Sequence, residues 1–245
     1  MKKTFDLSAA ALHILAMTFM LMDHLWATLL SSQMWLTHVG RLAFPIFAFL
    51  AVEGYFHTRS FKRYALRMLL FAVLSEVPFD LMYGGTAFYP VHQNVIWTLL
   101  LGLLGIRLME VARAKGKCWL YVLTCAAVVV LGFALGTLGM VDYYGAGVLT
   151  VFAFYFFRKR KWWCLLGQLA ALYWLNVVVL GGQMYPVTLF GREIELCEQG
   201  LALLALVPIW LYRGRQGHHS KAFQYACYAF YPAHMLVLAL LTMIQ

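Results

Sequence analysis

Long apolar stretches recur from one end of this chain to the other, and short basic clusters separate them. A helix that crosses a bilayer needs about 20 mostly apolar residues. Nine stretches meet or approach that length, at 8–30, 41–57, 61–83, 94–112, 118–138, 143–157, 162–180, 196–212 and 222–244. Of the 245 residues, 63% are hydrophobic and only 12% charged. A typical soluble domain carries about 25% charged residues. This much apolar surface exceeds what one soluble core can enclose. The composition therefore excludes an ordinary soluble enzyme, a disordered chain and a DNA-binding domain. The net charge of +9 sits mostly between apolar stretches, so the expected partner is a lipid bilayer and not nucleic acid.

The basic residues test this division independently. Lys2 and Lys3, then Arg59, Lys62 and Arg63, then Arg113, Lys115 and Lys117, then 158–161, then Arg213, Arg215 and Lys221 mark alternate connections. These are 15 of the 19 basic residues, and the intervening connections hold only Arg192. Positive residues favour the cytoplasmic side. The pattern predicts an all-α, polytopic helix bundle of about nine membrane helices, with the N-terminus cytoplasmic and the C-terminus outside. The first apolar run is too long for the core of a cleavable signal peptide. No internal repeat or linker interrupts the chain, so residues 1–245 read as a single integral membrane domain. The five cysteines fall in or beside apolar stretches without a CxxC pair and read as buried small side chains.

Ionisable side chains within a membrane are costly and commonly mark function. The first span contains Asp23 and His24. Neighbouring helix residues point in different directions, so Asp23 is expected to pair with a basic group on another helix and not with His24. His13 lies about 16 Å from His24 along the axis, too far to share a metal. Arg41 opens the second span near its outer side and is a candidate partner for Asp23, Glu76 or Asp80. Pro45 follows it and is expected to kink the helix. Glu76 and Asp80 are four residues apart around Pro78, so both carboxylates can share a face. Two close carboxylates suit acid–base work. Gln93 and Asn94 stand at the start of the fourth span and Asp142 at that of the sixth, and all three fit helix capping. The ninth span carries His234 after Pro232.

A second polar group lies toward the cytoplasmic end: Glu53 with His57 on one face, and Arg63, Arg67 and Arg107. Polar residues at two depths imply a pathway or tunnel. A transporter or channel for a small polar solute is the alternative reading. It lacks the paired repeats and matching broken helices common to many transporters.

Specific motifs narrow the choice. Met22-Asp23-His24, Gly40-Arg41-Leu42-Ala43-Phe44-Pro45, Ser75-Glu76-Val77-Pro78-Phe79-Asp80, Gln93-Asn94-Val95, Asp142-Tyr143, Tyr212-Arg213-Gly214-Arg215-Gln216-Gly217 and Phe230-Tyr231-Pro232-Ala233-His234 run from the first span to the last. In this combination the chain resembles the TraX family of membrane proteins. That family takes its name from a conjugative-plasmid protein that acetylates the N-terminus of a pilus subunit. It is distantly similar to multi-spanning acyltransferases that use cytoplasmic acetyl-CoA.

The resemblance implies an integral membrane acetyltransferase, placed here in a bacterial cytoplasmic membrane, with acetyl-CoA as acyl donor and no metal. His24 matches the essential histidine of those acyltransferases and is expected to act as general base, with Asp23, Glu76 and Asp80 completing the catalytic group. Arg41, Asn94, Gln93, Asp142 and His234 are expected around the acceptor. Arg41 or Asn94 would stabilise the oxyanion. Arg63, Arg67 and Arg107, with Glu53 beside them and the 158–161 run nearby, are expected around the CoA phosphates. The acceptor is a peptide N-terminus, a glycan or a lipid head group.

Overall fold

The computed structural model describes residues 6–189, 191–218 and 220–244. Lys2 and Lys3 lie outside the described residues. The helices are α1 (Ala9–Thr28), α2 (Met34–Gly40), α3 (Ala43–His57), α4 (Phe61–Gly84), α5 (Val95–Ala114), α6 (Cys118–Leu138), α7 (Tyr144–Phe156) and α8 (Trp162–Tyr173). A π-helical segment, Trp174–Leu180, continues α8. The strands β1 (Met184–Leu189) and β2 (Arg192–Cys197) follow. Then come a 3₁₀ segment, Glu198–Ala205, and the helices α9 (Leu206–Leu211) and α10 (Lys221–Thr242).

Among the described residues, all nine apolar stretches are helical over most of their length. Six helical segments are both long and apolar enough to cross a membrane: Ala9–Thr28, Met34–His57, Val95–Ala114, Cys118–Leu138, Trp162–Leu180 and Lys221–Thr242. The other three differ for physical reasons. Helix α4 is long enough at 24 residues but carries Lys62, Arg63, Arg67, Glu76 and Asp80. Helix α7 has 13 residues, about 20 Å, against a hydrocarbon core of about 30 Å. Glu198–Leu211 is also short.

Two features correct the sequence reading. The chain is not wholly α: β1 and β2 form an antiparallel hairpin between the seventh and eighth apolar stretches. Pro45 does not kink a helix, because it lies in the first turn of α3, where a missing N–H costs no helical bond. The break falls instead at Arg41 and Leu42, between α2 and α3.

The chain divides into two compact units. One comprises residues through Leu50 together with those from Leu172 onward; the other is Ala51–Ala171. In the first, α1 packs on α2 and α10. Ser8 caps α1 by accepting from the Ala11 N–H at 3.2 Å. The backbone N–H groups of Ala9 and Ala10 donate to the carbonyls of Arg215 and Gln216. This contact ties the start of α1 to the loop before α10.

In the second unit, α5, α6 and α7 pack together, with α4 on α5. Lipid tails are as apolar as leucine, so helices in a bilayer associate through close packing, which small residues allow. Gly102 and Gly105 of α5 sit against Val151 and Phe152 of α7. Gly136 of α6 faces the α7 backbone, and a Cβ there would lie 2.9 Å from the Tyr144 carbonyl oxygen and the Gly145 Cα. Backbone cannot yield as a flexible side chain does. Gly136→Ala should therefore destabilise this unit by about 1–3 kcal/mol through overpacking. The check is thermal unfolding of detergent-purified protein beside Leu138→Ala, since Leu138 is 78% exposed. Equal midpoints for Gly136→Ala and wild type would refute close α6–α7 backbone packing.

Candidate functional site

In the first unit, one polar network joins elements far apart in sequence. Helix α1 carries Asp23 against α2, where a side chain on Gly40 would collide with it. The Thr37 hydroxyl donates to Asp23 Oδ1 at 2.8 Å and accepts from Arg41 Nη2 at 2.5 Å. Arg41 Nη2 also lies 3.3 Å from Asp23 Oδ1, and its Nε lies 3.6 Å from Glu198 Oε1. Arg41 Nη1 donates to Gln199 Oε1 at 3.4 Å. Gln199 Nε2 donates to Asn176 Oδ1 at 2.9 Å, and Asn176 donates onward to the Leu172 carbonyl. The Tyr185 hydroxyl of β1 reaches Gln183 at 2.8 Å and Glu198 Oε2 at 3.4 Å. Thr37 is fully buried and Glu198 nearly so.

His24 meets a second histidine from another helix. Its Nδ1 lies 2.7 Å from Nε2 of His234 on α10. The ring centroids are 4.9 Å apart and the planes differ by 12°. At that nitrogen–nitrogen distance the rings lie edge to edge in nearly one plane, as an in-line hydrogen bond requires, and not face on face. His234 Nδ1 lies 2.7 Å from the Phe230 carbonyl oxygen. A carbonyl only accepts, so His234 carries its proton on Nδ1. In the neutral ring Nε2 then accepts from His24 Nδ1–H, which leaves the lone pair of His24 on Nε2. Both histidines are buried, at 7% and 8% exposure.

The second unit holds the other acidic candidates. Asn94 is fully buried. It caps α5 by accepting from the Ile96 N–H, and its amide donates to the Ala72 carbonyl and Glu76 Oε2. Trp97 Nε1 donates to the same carboxylate oxygen at 2.7 Å. Asp80 accepts from the Tyr89 N–H at 2.9 Å. Glu76 and Asp80, though one turn apart, thus hold different partners. Each keeps one buried oxygen without a hydrogen bond among the described residues.

Asp142 is not the expected cap. The N-cap of α7 is Tyr143, with no side-chain cap bond, while Asp142 Oδ1 lies 3.3 Å from His92 Nε2. Gln93 acts through its backbone, donating to the Met140 carbonyl and accepting from the Asp142 N–H, while its side-chain amide donates to the Pro90 carbonyl.

At the other end of this unit, Glu53 pairs with Arg158 at 2.7 Å, and that guanidinium lies 4.0 Å over the Phe56 ring. Arg158 is therefore committed to a carboxylate. Arg67 lies over Tyr64 and Arg107 over Phe61. Arg67 Nε is buried without a hydrogen bond among the described residues, and Arg63 and Arg107 are exposed. No group of three or more His, Cys, Asp or Glu among the described residues is placed to hold a metal.

Sequence reasoning missed Thr37, Asn176, Tyr185, Glu198 and Gln199. Glu198 carried a usable signal, since it is an acid at the head of an apolar stretch and one of only ten acidic residues. The others are neutral and individually unremarked.

The fold and these buried networks define a mostly helical protein with several membrane-competent helices and polar groups held inside it. A family profile described as "TraX protein" matches residues 8–242. The chain belongs to the TraX family. It is also similar to the probable fimbrial assembly protein FimC, serogroup H1, of Dichelobacter nodosus, at 28% identity over 252 residues. That match covers 97% of this chain and 97% of that protein. No solved structure matches.

The His92–Asp142 pair lies outside the candidate spans and carries a pH signature. Burial opposes charge on His92, but the Asp142 hydrogen bond and the charges of Asp142, Glu76 and Asp80 raise its pKa on balance. A raised folded pKa stabilises most below the unfolded value of about 6.5, and that stability is lost as pH rises through the folded value. The wild-type stability advantage over Asp142→Asn should shrink as pH rises from below 6.5 through that window. A difference independent of pH would refute the pairing.

Proposed function

We propose that this protein is an integral membrane acyltransferase that moves an acetyl group from acetyl-CoA to an amine or hydroxyl acceptor. The observation that carries this reading is the chain from the Phe230 carbonyl through His234 to His24. It fixes one tautomer and directs a basic nitrogen, His24 Nε2, from a buried ring. In this reading the acceptor nitrogen or oxygen attacks the thioester carbonyl while His24 Nε2 takes its proton. The C–S bond breaks, the acyl bond to the acceptor remains, and the departing thiolate takes up the proton from His24. His234 positions the ring and supports its charge as the proton arrives.

The Asp23–Arg41–Glu198 network holds α1 against α2. With Arg41 bonded to Thr37, Asp23 and Gln199, and Asn94 to Glu76 and Ala72, each serves in this reading to hold its own unit together and not as an oxyanion donor. The chemistry of the cytoplasmic-end residues fits an anionic donor. Arg67 offers a buried N–H without a hydrogen-bond partner among the described residues, and Arg63 and Arg107 offer exposed guanidinium groups suited to phosphate. Glu53 is neutralised by Arg158 and does not oppose them. We place the protein in a bacterial cytoplasmic membrane with its N-terminus inside, donor on the cytoplasmic side and acceptor outside. The fimbrial assembly name of the relative favours a polypeptide of a surface appendage as the acceptor.

Purified protein should be thermally stabilised by acetyl-CoA, because a ligand bound only by the folded state stabilises it. His24→Ala should keep that stabilisation and lose about 10²–10⁴-fold in acyl transfer or thioester hydrolysis. His234→Ala should lose rate while the pH dependence of the remaining activity shifts. Wild-type activity in His24→Ala, or no stabilisation by acetyl-CoA, would refute the proposal.

A further inference from the structure

The hairpin presents an unpaired strand edge whose chemistry selects a partner. In the register from Leu189↔Arg192 to Met184↔Cys197, hydrogen-bonded and non-bonded pairs alternate. The Glu198 N–H to Gln183 carbonyl bond at 2.9 Å extends that register and makes the odd-numbered residues of β1 the hydrogen-bonded positions. Met184, Pro186 and Thr188 of β1, and Glu193 and Glu195 of β2, therefore turn their backbone groups outward.

Pro186 has no N–H and blunts the β1 edge, a common device against unwanted pairing. The β2 edge has no such block. The outward backbone groups of Glu193 and Glu195 have no partner among the described residues. Side chains alternate across the edge. Glu193 and Glu195 lie on one face, and the partly exposed Ile194 and Leu196 on the other.

We propose that the outer edge of β2 binds an extended polypeptide by strand addition, and that the segment it takes alternates basic and apolar residues. Strand addition supplies main-chain hydrogen bonds as affinity and alternate side-chain positions as specificity. Basic side chains meet Glu193 and Glu195, and apolar ones meet Ile194 and Leu196. An antiparallel strand on β2 runs opposite to it. Its N-terminal end then lies beside Cys197, next to Glu198 of the network that holds Asp23. The peptide's role as acyl acceptor rests on the acyltransferase reading, whereas its docking does not.

The test measures fluorescence anisotropy of a labelled peptide alternating lysine and valine, with a glutamate–valine peptide as control, on the full-length protein in detergent. Wild type should bind the lysine peptide and not the control. Glu195→Pro removes one outward N–H and no hairpin bond, and should weaken binding about tenfold or more. The double variant Glu193→Gln with Glu195→Gln keeps every backbone group, and should weaken binding and flatten its salt dependence. No wild-type binding of the lysine peptide, or binding unchanged in both variants, overturns the proposal. A wild-type dimer that Glu195→Pro converts to monomer, with no peptide bound, assigns the edge to a second copy and also overturns it. His24→Ala should bind the peptide as wild type does. Peptide binding without acyl transfer would count against the acyltransferase reading alone, and transfer to a small amine without peptide binding against the docking edge alone.

Discussion

A charged group placed among apolar helices is tolerable only when it is bonded, and the first unit is organised around that requirement. Arg41 sits at the break between α2 and α3 and meets Asp23 of α1 and Glu198 of the 3₁₀ segment. Thr37 lies between guanidinium and carboxylate. Gln199 carries the network to Asn176 in the π-helical continuation of α8. Four separate parts of the chain are thereby held by side chains that would be costly to strand. One consequence is local and chemical. With Asp23 turned to Arg41, the adjacent His24 projects on another side of α1 and meets His234.

The histidine pair shows how a backbone carbonyl can set the chemistry of a ring one residue removed from it. Phe230 holds the proton on His234 Nδ1, His234 holds the proton on His24 Nδ1, and basicity is left at His24 Nε2. The second unit uses its acids differently. Glu76 is tied to Asn94 and Trp97, and Asp80 to the Tyr89 backbone, so each anchors the loop and helix start that follow α4.

Much of the helical framework was legible in the sequence, because a membrane helix announces itself by a long apolar run and its ends by basic residues. The number of crossing segments was less legible. Length and charge distinguish α4, α7 and Glu198–Leu211 from the six segments able to span. The hairpin was hidden because its alternating pattern is short and mostly exposed, and so looks like a connection between helices. The pairing of Asp23 with Arg41 was among the sequence expectations. His24 and His234 were each recognisable as histidines at membrane depth, but 210 residues separate them, and periodicity carries no information across that distance. Glu198 was overlooked for a related reason, since its partners Arg41, at the break between α2 and α3, and Tyr185 of β1 do not lie on its own segment.

The proposed base depends on one tautomer, and nitrogen NMR of histidine-labelled protein in lipid reads it directly. Comparison with His24→Gln and His234→Gln assigns the two rings. The account predicts that both rings carry the proton on Nδ1, with a coupling across the hydrogen bond from His24 Nδ1 to His234 Nε2. A proton on His24 Nε2 in the resting protein would contradict it.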